Sequence, residues 1–192
     1  MWNSIIKPTL VLFIVCVIIS GSLAYVNGMT TDIIQENTLA EQEEFRRQVL
    51  PEADSFRIIE QTGLPEAVKG VYEGFATNVS EGYVVEVSTK GYGGAISMTI
   101  GVNTEGQISG VIVGSNNETP GLGSKATQAD FTEKFDVVSL GNIPESGLVV
   151  VKQSPKADHE IQAVSGATIS SRAITKGVQA ALDAIKIIKG GD

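Results

Sequence analysis

The sequence predicts an α+β protein: a single N-terminal transmembrane helix followed by a domain in which helices pack an antiparallel sheet. Three observations carry this prediction. Residues 9–31 hold no charged side chain. Residues 83–113 alternate apolar and polar positions with a period of two, punctuated by glycine turns, as half-buried strands do. Residues 171–188 place apolar side chains at the helical period instead.

The 192 residues leave room for one ordinary domain and an appendage. Hydrophobic residues make up 42% and charged ones 19%, a balance that folds rather than stays disordered. A net charge of −8 excludes the basic face that nucleic-acid binding requires. The single cysteine, Cys16, cannot form an internal disulfide, and no Cys/His cluster is spaced for zinc or iron–sulfur, so no metal site is expected. His159, the only histidine, sits in the polar run "KADHE" and has no triad around it, so no catalytic residue is assigned.

Leu10 to Ile19 is unbroken apolar sequence within the uncharged run of residues 9–31. As a helix that run spans roughly 34 Å, against a bilayer core of about 30 Å. Trp2 and Tyr25 flank it where interfacial aromatics sit. A cleaved signal peptide ending at Ser22-Leu23-Ala24 is the rival, and a retained anchor is the expectation. Lys7 precedes the helix, whereas Asp32, Glu36, Glu41, Glu43 and Glu44 follow it, with no Lys or Arg until Arg46. The charge rule therefore puts residues 1–8 in the cytoplasm and the body outside it. A pilin-like structural protein shares this outline. It would need a processing site before the helix and a glutamate early within it, and residues 1–20 have neither.

Residues 32–50, rich in Glu, Gln, Leu and Arg, read as a helical stalk ended by Pro51, and the stalk with its linker extends to residue 69. The body, residues 70–192, begins its meander with a strand at Tyr83–Val87. A second runs through Ile96, Met98, Ile100 and Val102, and a third returns over Ile108–Val113 after the turn "NTEGQ". In "NNETPGLGSKA", Pro120 fixes one backbone angle, while Gly121 and Gly123 permit positive φ and close approach of a ligand. The plainer reading is a tight connection into a helix that begins near Ser124 and continues through Phe131 and Phe135.

The stretch "AVSGATISSRAIT" packs Ser165, Gly166, Ala167 and Thr168 against a helix marked by Ile174, Val178, Ala181, Leu182 and Ile185. Ser170 or Ser171 can cap that helix. Its unpaired first-turn amides and dipole suit an anion, Arg172 and Lys176 add positive charge, and the Thr168 hydroxyl lies within reach of a bound phosphate. A capped structural helix explains the same residues nearly as well.

"SGAT", residues 165–168, resembles the flavinylation motif of FMN-binding domains in membrane redox pumps, and "ETPGLG", residues 118–123, resembles that family's flavin-side loop. "GYGGAISMTIGV" resembles the preceding strand, so the likeness covers residues 70–188. With the N-terminal anchor, it points to the G-subunit branch of the Rnf ion-translocating electron transport complexes. The resemblance implies FMN joined through its phosphate to Thr168 by a flavin transferase. It also implies contacts from Ser165, Gly166, Ala167, Glu118, Thr119, Gly121, Leu122 and Gly123, and other subunits of a complex in the cell membrane as partners. One departure is Gln162, where the family usually carries Asp. FMN links two-electron and one-electron partners, so such a protein relays electrons and needs no acid–base machinery. The C-type subunit of a sodium-pumping quinone reductase and an envelope FMN reductase are the alternative readings.

Overall fold

The first helix, α1, runs Lys7–Val49 in a computed structural model that describes residues 5–190, the side chains of residues 32–36 excepted. Trp2 and the side chains of Asp32 and Glu36, used above for orientation, lie outside the described residues. Pro8 falls in the first helical turn, where its missing N–H costs nothing. The segment Lys7–Thr31, with mean hydropathy 2.5, is long and apolar enough to cross a bilayer. Its hydroxyls bond back to the preceding turn: Ser22 donates to the Ile18 carbonyl at 2.8 Å and Thr31 to that of Asn27 at 2.7 Å. Polar side chains so bonded are compatible with lipid.

The chain divides into two compact units, Met1–Glu43 and Glu44–Asp192. The second opens with the last turn of α1 and Pro51, then forms one five-stranded antiparallel sheet in sequence order. Its strands are β1 (Ser55–Ile58), β2 (Val68–Ala76), β3 (Val79–Lys90), β4 (Ala95–Asn103) and β5 (Ile108–Asn116). The three strands expected from alternation are present as β3 to β5. β1 and β2 were not anticipated: "SFRI" is only four residues long, and glycine and charge interrupt any period-two pattern in "VKGVYEGFA".

The register pairs Val85 with Ile100 and Val87 with Met98, which puts these side chains on one face. There they meet the final helix, α3 (Thr168–Lys189), whose Ile174, Val178, Ala181, Leu182 and Ile185 are fully buried. At about 1.5–3 kcal/mol each, the four larger side chains contribute about 6–12 kcal/mol, counted against a fully extended chain. On the opposite face Val49, Leu50 and Ala53 cover Val84. Gly101 permits that approach, since a Cβ there would overlap the Val49 carbonyl, to which Ser109 also donates a hydrogen bond. Arg46 pairs with Glu86 and lies 4.4 Å over the Tyr72 ring. Burial first, and the Glu86 carboxylate second, hold the Tyr72 hydroxyl above its ordinary pKa.

The continuous helix expected from Ser124 to Phe135 is absent. In its place stand a 3-10 turn (Gly123–Thr127), one turn of α-helix, α2 (Ala129–Thr132), and a second 3-10 turn (Glu133–Phe135). Gln128 breaks them with an extended backbone, and Phe131 packs edge-to-face on Phe135 at 5.7 Å. Two short parallel strands, β6 (Val149–Val151) and β7 (Glu160–Gln162), then deliver the chain to the start of α3.

Candidate functional site

Two loops distant in sequence meet over the sheet. One follows β5 and the other joins β7 to α3, and between them lies a cleft of about 520 Å³. That volume falls within the range of small-molecule sites. Glu118, Thr119, Leu122 and Gly123 line one side, and Gly166, Ala167 and Thr168 line the other. Of the residues singled out in the sequence, Ser165 and Gly121 are exposed but do not belong to this lining. Tyr92, Ile169 and Ser170 also line the cleft, and none of them was assigned to a ligand site, Ser170 being read only as a cap.

The start of α3 differs from the cap expected. Neither Ser170 nor Ser171 is the N-cap. Ala167 holds that place with no side-chain hydrogen bond, and the helix begins at Thr168. Gly166 makes the turn at φ +79°, a conformation that favours glycine. The first intrahelical bond runs from the Ser171 amide to the Ala167 carbonyl at 2.9 Å. The amides of Thr168, Ile169 and Ser170 therefore have no acceptor among the described residues, and they sit at the positive end of a 22-residue helix. Ser171 turns inward instead and accepts the Val164 N–H at 3.0 Å. Ser170 donates to Glu118 and Thr175 to the Ser171 carbonyl, whereas the Thr168 hydroxyl bonds nothing among the described residues. Thr168 is half-buried and lines the cleft, which leaves this hydroxyl available to a ligand there.

On the opposite loop, Glu118 and Gly121 bond to other protein groups. The Glu118 carboxylate, 6% exposed, accepts the Tyr92 N–H at 2.8 Å, the Gly93 N–H at 3.1 Å and the Ser170 hydroxyl at 2.7 Å. Gly121 lies at φ +76° in open space and donates its N–H to the Ser124 hydroxyl at 2.9 Å. Gly123 is buried, and a Cβ there would overlap the Glu118 carboxylate, so its smallness serves that packing. Three exposed hydrophobic residues rim the cleft: Tyr92 at 70%, Ile169 at 55% and Leu122 at 51% exposure.

Among the described residues no lysine or arginine lines the cleft. Lys176, expected to add charge beside the phosphate, lines a different groove with Lys69 and Lys90. An anion at α3 would thus be met by amides and the helix dipole. Among the described residues no group of His, Cys, Asp or Glu is arranged to hold a metal.

The cleft fits FMN on its donor set: three free amides and a hydroxyl for a phosphate, and apolar walls for a flat ring. Comparison with known proteins bears on the same residues. The FMN-binding domain family matches residues 91–183, and the RnfG N-terminal region matches residues 1–49. The chain is 34% identical over 190 residues to the G subunit of the Na(+)-translocating ferredoxin:NAD(+) oxidoreductase complex of Acetobacterium woodii, covering 92% of this chain and 89% of that protein. It is 33% identical over 189 residues to the G subunit of the proton-translocating ferredoxin:NAD(+) oxidoreductase complex of Clostridium ljungdahlii, covering 98% and 96%. Among solved structures, the crystal structure of Shewanella oneidensis NqrC matches with a TM-score of 0.47 and 23% identity, over 70% of this chain and 66% of that one.

Proposed function

The chain belongs to the G-subunit family of Rnf-type ion-translocating oxidoreductase complexes, and from that premise we propose that it relays electrons through FMN joined covalently to Thr168. It is a membrane-anchored subunit of an oxidoreductase that couples electron transfer to ion translocation, with an FMN-binding domain as its body. FMN supplies one- and two-electron redox chemistry when bound. The chain's own part is to attach the flavin, orient it and keep it from diffusing away.

One observation carries the attachment to Thr168. Its hydroxyl has no partner among the described residues, and it stands beside three amides that likewise have none, at the N-terminus of α3 inside the cleft. In this reading the Thr168, Ile169 and Ser170 amides hold the phosphate, and Gly166 and Ala167 keep Cβ bulk out of its way. Leu122, Thr119 and Tyr92 form the ring side. A phosphodiester carries one negative charge, which suits a site of amides without lysine or arginine. A flavin transferase makes the bond, and the other subunits of the complex are the electron partners.

The body lies on the extracytoplasmic side in this reading, supported by the charges around Lys7–Thr31, and a covalent tether suits a carrier working there. Thr168→Ala in the intact complex tests the relay. It should remove in-gel flavin fluorescence from this protein and stop electron flow through the complex, while the complex still assembles. Persistent fluorescence on the variant chain would overturn the assignment. For orientation, a single cysteine placed at exposed Lys152 in a Cys16→Ser background should react with a membrane-impermeant thiol reagent in cells whose outer layer is permeable. Labelling only after lysis would reverse the topology.

A further inference from the structure

Glu118 faces the proposed flavin cleft, and both of its carboxylate oxygens already accept hydrogen bonds from the protein. Oε1 accepts the amides of Tyr92 and Gly93, which belong to the turn between β3 and β4, and Oε2 accepts the Ser170 hydroxyl in the first turn of α3. Glu118 itself sits on the loop after β5, where its N–H reaches the Asn116 side-chain oxygen at 3.3 Å. One buried side chain therefore joins three separate segments of the wall. Two glycines make room for it: a Cβ at Gly91 would overlap Oε1, and one at Gly123 would overlap Oε2. Both positions need to be small because the carboxylate occupies the space, whatever else enters the cleft.

Ser170 follows Thr168 by two residues on the same helical turn, and Tyr92 and Leu122 stand on the other walls. A bond from Ser170 to Glu118 sets how far the phosphate-holding turn lies from the side that meets the ring. We propose that Glu118 and Ser170 form a positioning clasp, fixing the width of the cleft and with it the environment of the flavin ring. The clasp rests on the flavin site proposed above. Glu118 is a positioning residue that touches protein groups, and Ser170 transmits its position to α3.

The test uses the full chain and two variants. Ser170→Ala removes the bond to Oε2, and Ser170→Thr keeps the hydroxyl and should restore it. Hydrogen exchange at the Tyr92 and Gly93 amides is read in each, because these are the far partners of the carboxylate. Ser170→Ala should raise their exchange rates about fivefold, the effect of weakening one net hydrogen bond. The flavin absorption band and midpoint potential should also shift in Ser170→Ala and return to the wild-type values in Ser170→Thr. Glu118→Gln, which keeps size and loses charge, should shift the potential as well and serves if Ser170→Ala does not fold. A flavin whose potential and spectrum ignore both Ser170→Ala and Glu118→Gln would overturn the clasp while leaving the flavin site intact. A wild-type chain without flavin at Thr168 would instead overturn the parent reading and the positioning role with it. The presence or absence of flavin on the wild-type chain separates the two failures.

Discussion

The two loops that form the cleft are built from the same kinds of residue and use them in opposite ways. In residues 116–124 the glycines make room for the protein itself: Gly123 seats the Glu118 carboxylate, and Gly121 completes a turn closed by Ser124. There the Glu118 carboxylate and the Gly121 N–H both have protein partners. At the start of α3, Gly166 and Ala167 carry little side-chain bulk, and the amides of Thr168, Ile169 and Ser170 and the Thr168 hydroxyl bond nothing among the described residues. Small residues alone therefore do not mark a ligand. Small residues beside unbonded amides at a helix N-terminus suit an anion, because those amides and the helix dipole point toward it.

This contrast predicts how substitutions divide between stability and flavin. The largest loss of stability falls on the first of these loops. Gly123→Val drives a branched side chain into the Glu118 carboxylate, with the Ser170 hydroxyl only 3.0 Å from the added Cβ. It should cost about 2–3 kcal/mol, the upper part of the overpacking range, read as a lowered denaturation midpoint at unchanged m-value.

Ser171→Ala comes next, on the second loop at a hydroxyl that turns inward. It leaves the Val164 N–H without an acceptor and should cost about 1–2 kcal/mol in the same measurement. Gly121→Ala should cost about 1 kcal/mol. Its φ of +76° disfavours a Cβ, yet nothing lies within 4 Å to clash with one, so flavin attachment should be unchanged in a gel-fluorescence assay. Thr168→Ala should change stability least, by about 0.5 kcal/mol or less, since its hydroxyl bonds no described protein group. A large loss of stability at Thr168 would erase the distinction between the loops.

The same distinction explains what the sequence made legible. The anchor and the three central strands were readable because hydrophobic period and length leave few alternatives, and Ile96, Met98, Ile100 and Val102 alternate cleanly. β2 was not, since Gly70, Glu73 and Gly74 interrupt the alternation and the strand owes its place to pairing with β3, nor was the four-residue β1, which pairs only along β2. The broken helix after Gly123 was read as continuous because Phe131 and Phe135 stand at helical spacing, while the extended backbone at Gln128 has no local signature. At the site, the motif residues drew attention to both loops. Tyr92, Ile169 and Ser170 were not read as cleft residues, Ser170 only as a cap, because the cleft is assembled across distant segments, with Glu118 standing 52 residues from the Ser170 it binds. No local pattern encodes that distance.

The most direct test of the account is the mass of the tryptic peptide Ala157–Arg172 from the purified full-length protein, with fragmentation to place any added group. The peptide holds four hydroxyl side chains, at Ser165, Thr168, Ser170 and Ser171, so location matters as much as mass. The account predicts one FMN phosphodiester, on Thr168, and an unmodified peptide from Thr168→Ala protein prepared alongside. A flavin found on Ser165, Ser170 or Ser171, or a wild-type peptide without flavin from cells that flavinylate other proteins, would contradict it.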